Sequence, residues 1–462
     1  EAKYAEDFRA EGMVFARLLN SPYPHARVRS IDAKEALAMP GVVGILTPDE
    51  VNNPPWPDPQ LLCSEPGYVG APVLLLAAET ETQAQDALEK IRIDWEVLPF
   101  HVDALQSLHP DRPDARAESN IGSKMIKEQQ IKWTREDVDA AGTGRMPMGR
   151  PAAEWAYGDL EANFAKAKLV IDERFVHASN SHHSMEPRTG MAYWQNGKCI
   201  AHVSTQSHTF IVAKLAEFIG IPPDDLVVVA EYCGGGFGSK GSAYALSALP
   251  AVMSKKLGRP VMMRISRAEE YYNGSARNGF QGNVRLGFGA DGKLLAADIY
   301  LVQETGGYSG FPDFRNAGDA LSLMYQPEAM RWRAVPLVAN VPLHTAQRGP
   351  GQNQLAHIVE PLLDRAAREL GVDRIAIRQM NAPQTGSPVG EQRKPVSSCH
   401  AKEALAQGAE LFGWNDKLAR SGKRNGSKVT GIGVGRAYHP AGNFGFDGLV
   451  RITPDGVLHI HT

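Results

Sequence analysis

The residues best suited to chemistry gather around one segment, DLVVVAEYCGGGFGSKG, running from Asp225 to Gly241. Its β-branched start, Leu226 to Ala230, predicts a buried strand. The break into Gly234, Gly235, Gly236, Phe237 and Gly238 predicts a loop whose backbone approaches a ligand closely, because glycine lacks a Cβ and tolerates positive φ. The Ala- and Leu-rich stretch Ser242–Lys256 then predicts a helix interrupted by Pro250. A phosphate cradle has no use for a phenyl ring, whereas a flat organic substrate can use Phe237 as a wall. Gly236, Gly238 and Gly241 also spell the G-x-G-x-x-G of a dinucleotide site. That site wants an acid about 20 positions on, at the tip of the next strand. The next strand candidate, Pro260–Ile265, contains none, and Glu269 and Glu270 lie past its end. A Walker A loop is excluded, since Ser239 rather than glycine precedes Lys240. Taken alone, the cluster reads equally as a tight structural turn.

Three further segments carry candidate groups. Thr205-Gln206 sits between a predicted strand and a predicted helix, where a glutamine amide can donate to an oxo ligand or a carbonyl, or simply face solvent. HASNSHHSMEP (His177–Pro187) gathers three histidines and Glu186, and His182 with Glu186 has i, i+4 spacing. Pro187 and the Ser/Asn content favour a loop there over a metal-ligating helix. TAQRGPGQNQ (Thr345–Gln354) sets Arg348 between glycine turns, where its guanidinium is a fixed fork for an oxyanion or the partner of a surface acid.

The elements that must position these groups belong to an ordinary soluble chain. Its 462 residues predict two to four domains, and a composition of 43% hydrophobic and 22% charged residues is typical of globular proteins. A net charge of −3 gives no sign of nucleic-acid binding, and no apolar run reaches the length of a membrane span. Cys63, Cys199, Cys233 and Cys399 form no C-x-x-C, which argues against an iron–sulfur cluster or zinc ribbon held by this chain alone and against a disulfide scaffold. A reducing cytoplasm fits this usage, with the periplasm as the alternative.

Along the chain, residues 1–105 predict a first α/β unit with strands at Val14–Leu19, Val42–Leu46 and Pro72–Ala77 and a helix at Glu79–Lys90. Residues 106–155 read as an extended linker crossing the surface of another domain. Residues 156–385 predict a larger α/β unit. It includes a hairpin turning at GADGK between Val284–Phe288 and Leu294–Val302, and a helix Ala356–Leu370 closed by Gly371. Residues 386–462 open a further unit with strands at Gly431–Arg436, Gly448–Thr453 and Val457–His461.

In order, Thr205-Gln206, Gly220-Ile221-Pro222, GGGFGSK, GRPVMMRISRAEE, QRGPGQNQ, Glu360–Gly371 and Asn381 resemble the molybdenum-binding large subunit of the xanthine dehydrogenase and aldehyde oxidase family, the molybdenum hydroxylases. EAKYAEDF, LLNSPYPHARVRSID and ALAMPGVVGILT resemble the hammerhead domain that opens such subunits. The resemblance implies an α+β fold, with a hammerhead-like α/β domain followed by mixed α/β molybdopterin-binding domains. It implies a molybdenum–molybdopterin cofactor, in bacteria often the cytosine dinucleotide form, whose dithiolene holds the metal so that no side chain ligates it. It further implies hydroxylation of a small-molecule substrate with water-derived oxygen, and electron transfer to [2Fe-2S] and FAD centres on partner subunits.

By position in the motif, Gln206 matches the residue bonded to the apical oxo ligand, and Gly235, Gly236, Phe237 and Gly238 match the loop laid against the cofactor. Phe237 matches the substrate wall, and Arg348 faces cofactor and pocket. Gln354 is assigned to the cofactor, and Arg277 and Pro350 to the substrate pocket. Two departures, Gly241 where purine-oxidising members carry glutamate and Pro350 where they carry phenylalanine, point away from purines towards an aldehyde, another N-heterocycle or a substituted aromatic. The family's large subunits extend past the end of this sequence, and their catalytic glutamate lies in that part. A continuation of the polypeptide or a second chain is therefore expected to complete the site. The competing expectations are a non-catalytic scaffold that holds cofactor for a partner, and a nicotinamide-dependent dehydrogenase built on the glycine loop.

Overall fold

The structure, a computed structural model, describes residues 2–142, 144–439 and 449–461. Five strands come first: β1 (Val14–Asn20), β2 (Ala26–Asp32), β3 (Val42–Leu46), β4 (Pro72–Ala78) and β5 (Arg92–Val97). Six follow: β6 (Ala153–Tyr157), β7 (Leu169–His177), β8 (Thr189–Gln195), β9 (Lys198–Val203), β10 (Leu226–Val229) and β11 (Val261–Arg264). Three long strands complete the second unit, β12 (Gly279–Phe288), β13 (Leu294–Glu304) and β14 (Ala329–Leu337). The architecture is mixed α/β, as the sequence predicts.

Two sheets organise twelve of these strands, and β2 pairs with β5 in a two-stranded sheet of their own. A seven-stranded sheet runs β10-β9-β8-β11-β1-β4-β3, and a five-stranded sheet runs β6-β14-β13-β12-β7. The first joins the N-terminal strands to those that carry the site, through a parallel pair in which Val14, Phe15 and Ala16 lie beside Val261, Met262 and Met263. β4, PVLLLAA, is buried at every residue, which is why it reads as a continuous apolar run rather than an alternating one. In the second sheet the hairpin predicted at GADGK forms, pairing β12 with β13 from Gly279–Glu304 to Phe288–Leu294. The helix Gln352–Leu370 packs its Leu355, Ile358, Val359 and Leu363 into the core of this sheet and ends at Gly371 in the left-handed conformation.

Residues 103–151 lie against the second sheet. Ile121, Ile131, Trp133 and Met146 form a core with Tyr300, Val302, Val335 and Leu337 of β13 and β14. The segment also holds short helices at Ala104–Leu108 and Arg135–Ala141, so it brings apolar anchors that its polar composition masks.

Two elements differ from expectation. The helix after the glycine loop begins only at Leu249 and runs to Leu257, with Pro250 in its first turn, preceded by a single 3₁₀ turn at Ala245–Ser247. Proline lacks the N–H that a helix interior needs but fits the first turn, so it starts this helix instead of interrupting one. Gly431–Arg436 forms no strand. It is a strap outside any sheet, with Ile432 O accepting from Arg374 and the Ile432 N–H donating to Ser421 Oγ at 3.2 Å, so side chains take the place of a partner strand, and Arg436 ties it down by donating to Met324 O at 2.7 Å. Of the last predicted strands, Leu449–Ile452 pairs with Leu458–His461, and Gly448 lies outside the described residues. Among the described residues no helix is long and apolar enough to cross a membrane.

Candidate functional site

The loop that follows β10 is shaped by contacts that leave room only for glycine. Gly238 has φ +115°, and a Cβ there would lie 2.3 Å from Ala346 O. A Cβ on Gly236 would lie 2.2 Å from Gln206 Oε1. Between them Phe237, a non-glycine residue, is held at φ +53°, a conformation that persists only where the surroundings over-determine it. They do so here: Phe237 O accepts from the Arg348 N–H at 2.8 Å and the Gly238 N–H donates to Gln206 Oε1 at 2.9 Å.

Two buried ion pairs bolt the loop from behind. Lys240 is wholly buried, its Nζ 2.6 Å from Glu186 O and 3.3 Å from Glu186 Oε2. The same Oε2 accepts from Ser204 Oγ at 2.6 Å and from the Gly234 N–H at 2.7 Å. Burial lowers the Lys240 pKa, and the Glu186 carboxylate opposes that shift. Arg188, equally buried, pairs with Glu270 through Nη1, donates to Ser239 O at 2.8 Å through Nη2, and lies 4.7 Å from the Tyr244 ring. These four charges come from β8 and its approach, the loop and the helix Arg267–Asn273. Sequence reasoning missed them as a set, because partners 54 and 82 positions apart leave no local pattern.

The structure brings together Gln206, Phe237 and Arg348. Gln206 leaves β9 and reaches the loop. Arg348 sets its guanidinium 5.6 Å from the Phe237 ring, and among the described residues no acid pairs with it. Gln206, Phe237 and Arg348, brought from three separate loops, are all exposed, while Gly235, Gly236 and Gly238 around Phe237 are half-buried or buried.

It does not bring Arg277 or Gln354 to that surface, which corrects the expectation for both. Arg277 is 5% exposed and turns inward, donating to Gln347 Oε1 at 2.8 Å, Arg348 O at 2.9 Å, Gly349 O at 3.2 Å and Gln354 Oε1 at 3.0 Å. Gln354, fully buried, also accepts from the Gly351 N–H and donates to Asn278 O and Asp313 Oδ2, so its amide has no group left for a ligand. Both hold the loop that presents Arg348. Pro350 is half-buried in the turn between Gly349 and Gly351, not in the cavity described below. Burial lifts the Asp313 carboxyl beneath this network to about 7, against the hydrogen bond from Gln354.

After His177, the last residue of β7, the histidine-rich segment is a loop, as its Ser, Asn and Pro content predicts. His182 donates from Nε2 to Ala346 O at 2.9 Å, the carbonyl that abuts Gly238, and burial lowers its pKa to about 4. Glu186 serves the glycine loop. Among the described residues no group of three or more His, Cys, Asp or Glu side chains is placed to hold a metal.

What the site offers is donors. Among the described residues the N–H groups of Gly235, Gly236 and Phe237 have no hydrogen-bond partner, nor have the Gln206 Nε2 and the Arg348 guanidinium. Successive free amides at alternating backbone hands form an anion-binding concavity. An array of amides, one carboxamide and one guanidinium suits an oxygen-rich, anionic group whose metal is ligated by the group itself. Behind Gly238 and Ser239 lies a cavity of 580 Å³, walled by Tyr68, Phe218, Tyr244, Tyr308 and Phe311. The dinucleotide reading fails here, because the loop leads into turns and not directly into a helix.

Fold and site together define a cofactor-binding α/β protein whose glycine loop presents donors beside an aromatic-walled cavity. Residues 146–382 match the molybdopterin cofactor-binding domain, and residues 1–99 match the aldehyde oxidase and xanthine dehydrogenase a/b hammerhead domain. The chain belongs to the xanthine dehydrogenase and aldehyde oxidase family of molybdenum oxidoreductases. It is 25% identical to the xanthine dehydrogenase molybdenum-binding subunit of Escherichia coli O157:H7 over 94% of this chain and 56% of that one. It is 26% identical to the nicotinate dehydrogenase large molybdopterin subunit of Eubacterium barkeri over 88% of this chain and 92% of that one. The aldehyde oxidoreductase of Desulfovibrio desulfuricans ATCC 27774 superposes with a TM-score of 0.83 at 22% identity, covering 99% of this chain and 50% of that chain. The chain thus spans about half the length of several relatives it matches, and nearly all of the nicotinate dehydrogenase subunit.

Proposed function

We propose that this chain is the molybdopterin-holding part of a molybdenum hydroxylase that oxidises an aldehyde, an N-heterocycle or another aromatic substrate with water-derived oxygen. Electrons then pass to Fe–S and FAD centres on partner subunits. The observation that carries this reading is the convergence of unspent donors at one loop: Gln206 Nε2, three backbone N–H groups and the Arg348 guanidinium. When bound, the molybdenum cofactor supplies the Lewis acid and electron acceptor of the reaction. The chain's own residues do the rest. Gln206, its Oε1 fixed by the Gly238 N–H, would offer Nε2 to an oxygen of the cofactor. The free N–H groups of Gly235, Gly236 and Phe237 hold the cofactor's anionic edge, in the cytosine dinucleotide form or the simple pterin form. Phe237 offers a ring face to the substrate and Arg348 steadies developing negative charge. Arg277 and Gln354 act through the loop they clamp.

The test is metal and pterin content of the purified complex for the natural chain and for Gln206→Ala, with turnover read separately. The variant is expected to fold, to lose molybdenum on gel filtration and to fall about 10²–10³-fold in rate, the usual cost of one preorganised donor. A natural complex free of pterin, or a variant with full metal and full turnover, overturns the assignment.

A further inference from the structure

The 580 Å³ cavity behind the glycine loop carries charges that the proposed reaction does not use. Three segments distant in sequence converge on it: Asp58 from the N-terminal unit, Lys124 from the segment that crosses the second sheet, and Lys214 from the helix Val212–Ile219. Lys124 Nζ lies 2.5 Å from Asp58 Oδ1, and Lys214 Nζ lies 3.8 Å from Asp58 Oδ2. Among the lining residues Asp58 is the sole acid, against Lys124, Lys214 and Arg188. Arg188 is neutralised by Glu270, so the balance falls to two ammonium groups sharing one carboxylate. Lys214 has a second partner, Glu217 Oε1 at 2.5 Å, but Glu217 does not line the cavity and its side chain is 57% exposed, where screening leaves it little hold. The Lys214 ammonium also rests 5.0 Å from the Phe218 ring, which keeps its stem against the apolar wall. Neither lysine is buried: their side chains are 55% and 35% exposed, so both can turn towards a ligand without leaving a stranded charge.

We infer that this cavity selects a planar aromatic substrate bearing a carboxylate, whose ring lies among Phe311, Tyr308 and Tyr244 and whose carboxylate is met by Lys124 and Lys214. The inference rests on the reading of the site given above. It names the substrate's charge, which that reading leaves open. The geometry fits the class. The volume holds one or two fused rings, the aromatic walls suit a ring face, and the cationic pair sits on the Asp58 side of a cavity whose Gly238 edge adjoins the donor loop. Asp58 holds the two lysines together in the absence of ligand, loosely at Lys214, and gives way to the incoming carboxylate, which is met by both ammonium groups.

The experiment uses the purified holo complex and compares matched pairs, benzaldehyde with 4-carboxybenzaldehyde and pyridine with nicotinate. Both kcat/KM and equilibrium binding of the carboxylates are measured, the latter by titration calorimetry. The carboxylate is expected to be preferred about tenfold or more in KM, the worth of one hydrogen-bonded charge contact. That preference should shrink as salt rises, vanish in Lys124→Met/Lys214→Met and grow in Asp58→Asn. Equal kcat/KM within each pair, or a preference untouched by the double variant, overturns the inference while turnover of either member leaves the proposed chemistry standing. Carboxylate binding that depends on the two lysines, without turnover of any compound, supports the inference and refutes the proposed chemistry instead.

Discussion

Lys240 offers the sharpest test of how the site is held. Replacing it with methionine keeps most of the side chain's bulk and removes its charge. Its Nζ is wholly buried and bonds to Glu186 O and Oε2, while Glu186 is itself 8% exposed and holds the Gly234 N–H. Lys240→Met therefore leaves a buried carboxylate with two neutral donors and no counter-charge. Breaking one side of such a pair costs about 3–5 kcal/mol. With a urea dependence of about 1–3 kcal/mol per molar, the midpoint should fall by 1 M or more for the transition that includes this loop. Hydrogen exchange at Gly234–Gly241 should accelerate in step. Adding Glu186→Gln, which keeps an acceptor for Ser204 and Gly234 but removes the orphaned charge, should recover a large part of the loss. A Lys240→Met cost below about 1 kcal/mol, or a double variant worse than the single one, would refute the claim that this pair bolts the loop.

Three further outcomes follow from the same geometry. Gly236→Ala should destabilise the loop by about 1–3 kcal/mol, because its Cβ would meet Gln206 Oε1 at 2.2 Å. The cost should fall to under half in a Gln206→Ala background, and a denaturation cycle showing strict additivity would remove the contact from the account. Phe237→Gly should raise stability by about 1 kcal/mol or less through relief of φ +53°, while raising KM for aromatic substrates. A KM change equal for aromatic and aliphatic aldehydes would make the ring a packing element only. For Asp313, burial lifts the pKa from 3.8 to about 7, so the folded state holds the proton more tightly than the unfolded one. Its stabilising contribution is complete below pH 3.8 and is lost as pH rises to 7, with a slope of up to about 1.4 kcal/mol per pH unit. Asp313→Asn should flatten that part of the stability profile, and an unchanged slope would place the titration elsewhere.

Much of the scaffold was legible because its strands and helices are locally consistent. The buried run of β4, the turn at GADGK and the Gly371 helix stop each carry their structure in a few adjacent residues. What failed were segments whose partners are remote. Gly431–Arg436 has strand-like alternation, but the backbone groups of Ile432 are met by the side chains of Arg374 and Ser421. The segment 106–155, expected to cross the surface of another domain, does lie against the second sheet, but its anchors Ile121, Ile131, Trp133 and Met146 are too widely spaced to show a period.

The site divides along the same line. The exposure of Gln206, Phe237 and Arg348 was legible because each sits beside a glycine turn or a strand end. Arg277 and Gln354 lie in equally suggestive surroundings, yet they face inward. Nothing in the string tells an arginine that grips a ligand from one that grips the loop beside it, since the same fork serves both uses. The difference lies in counting bonds. Arg277 spends its donors on Gln347, Arg348, Gly349 and Gln354, whereas Arg348 has only the face of Phe237. Those contacts make the pair a single device, in which one arginine is saturated so that the other is presented with its guanidinium unspent. Loss of Arg277 would therefore leave the Arg348 side chain intact while freeing its position, and on the proposed reading precise position is what that guanidinium contributes.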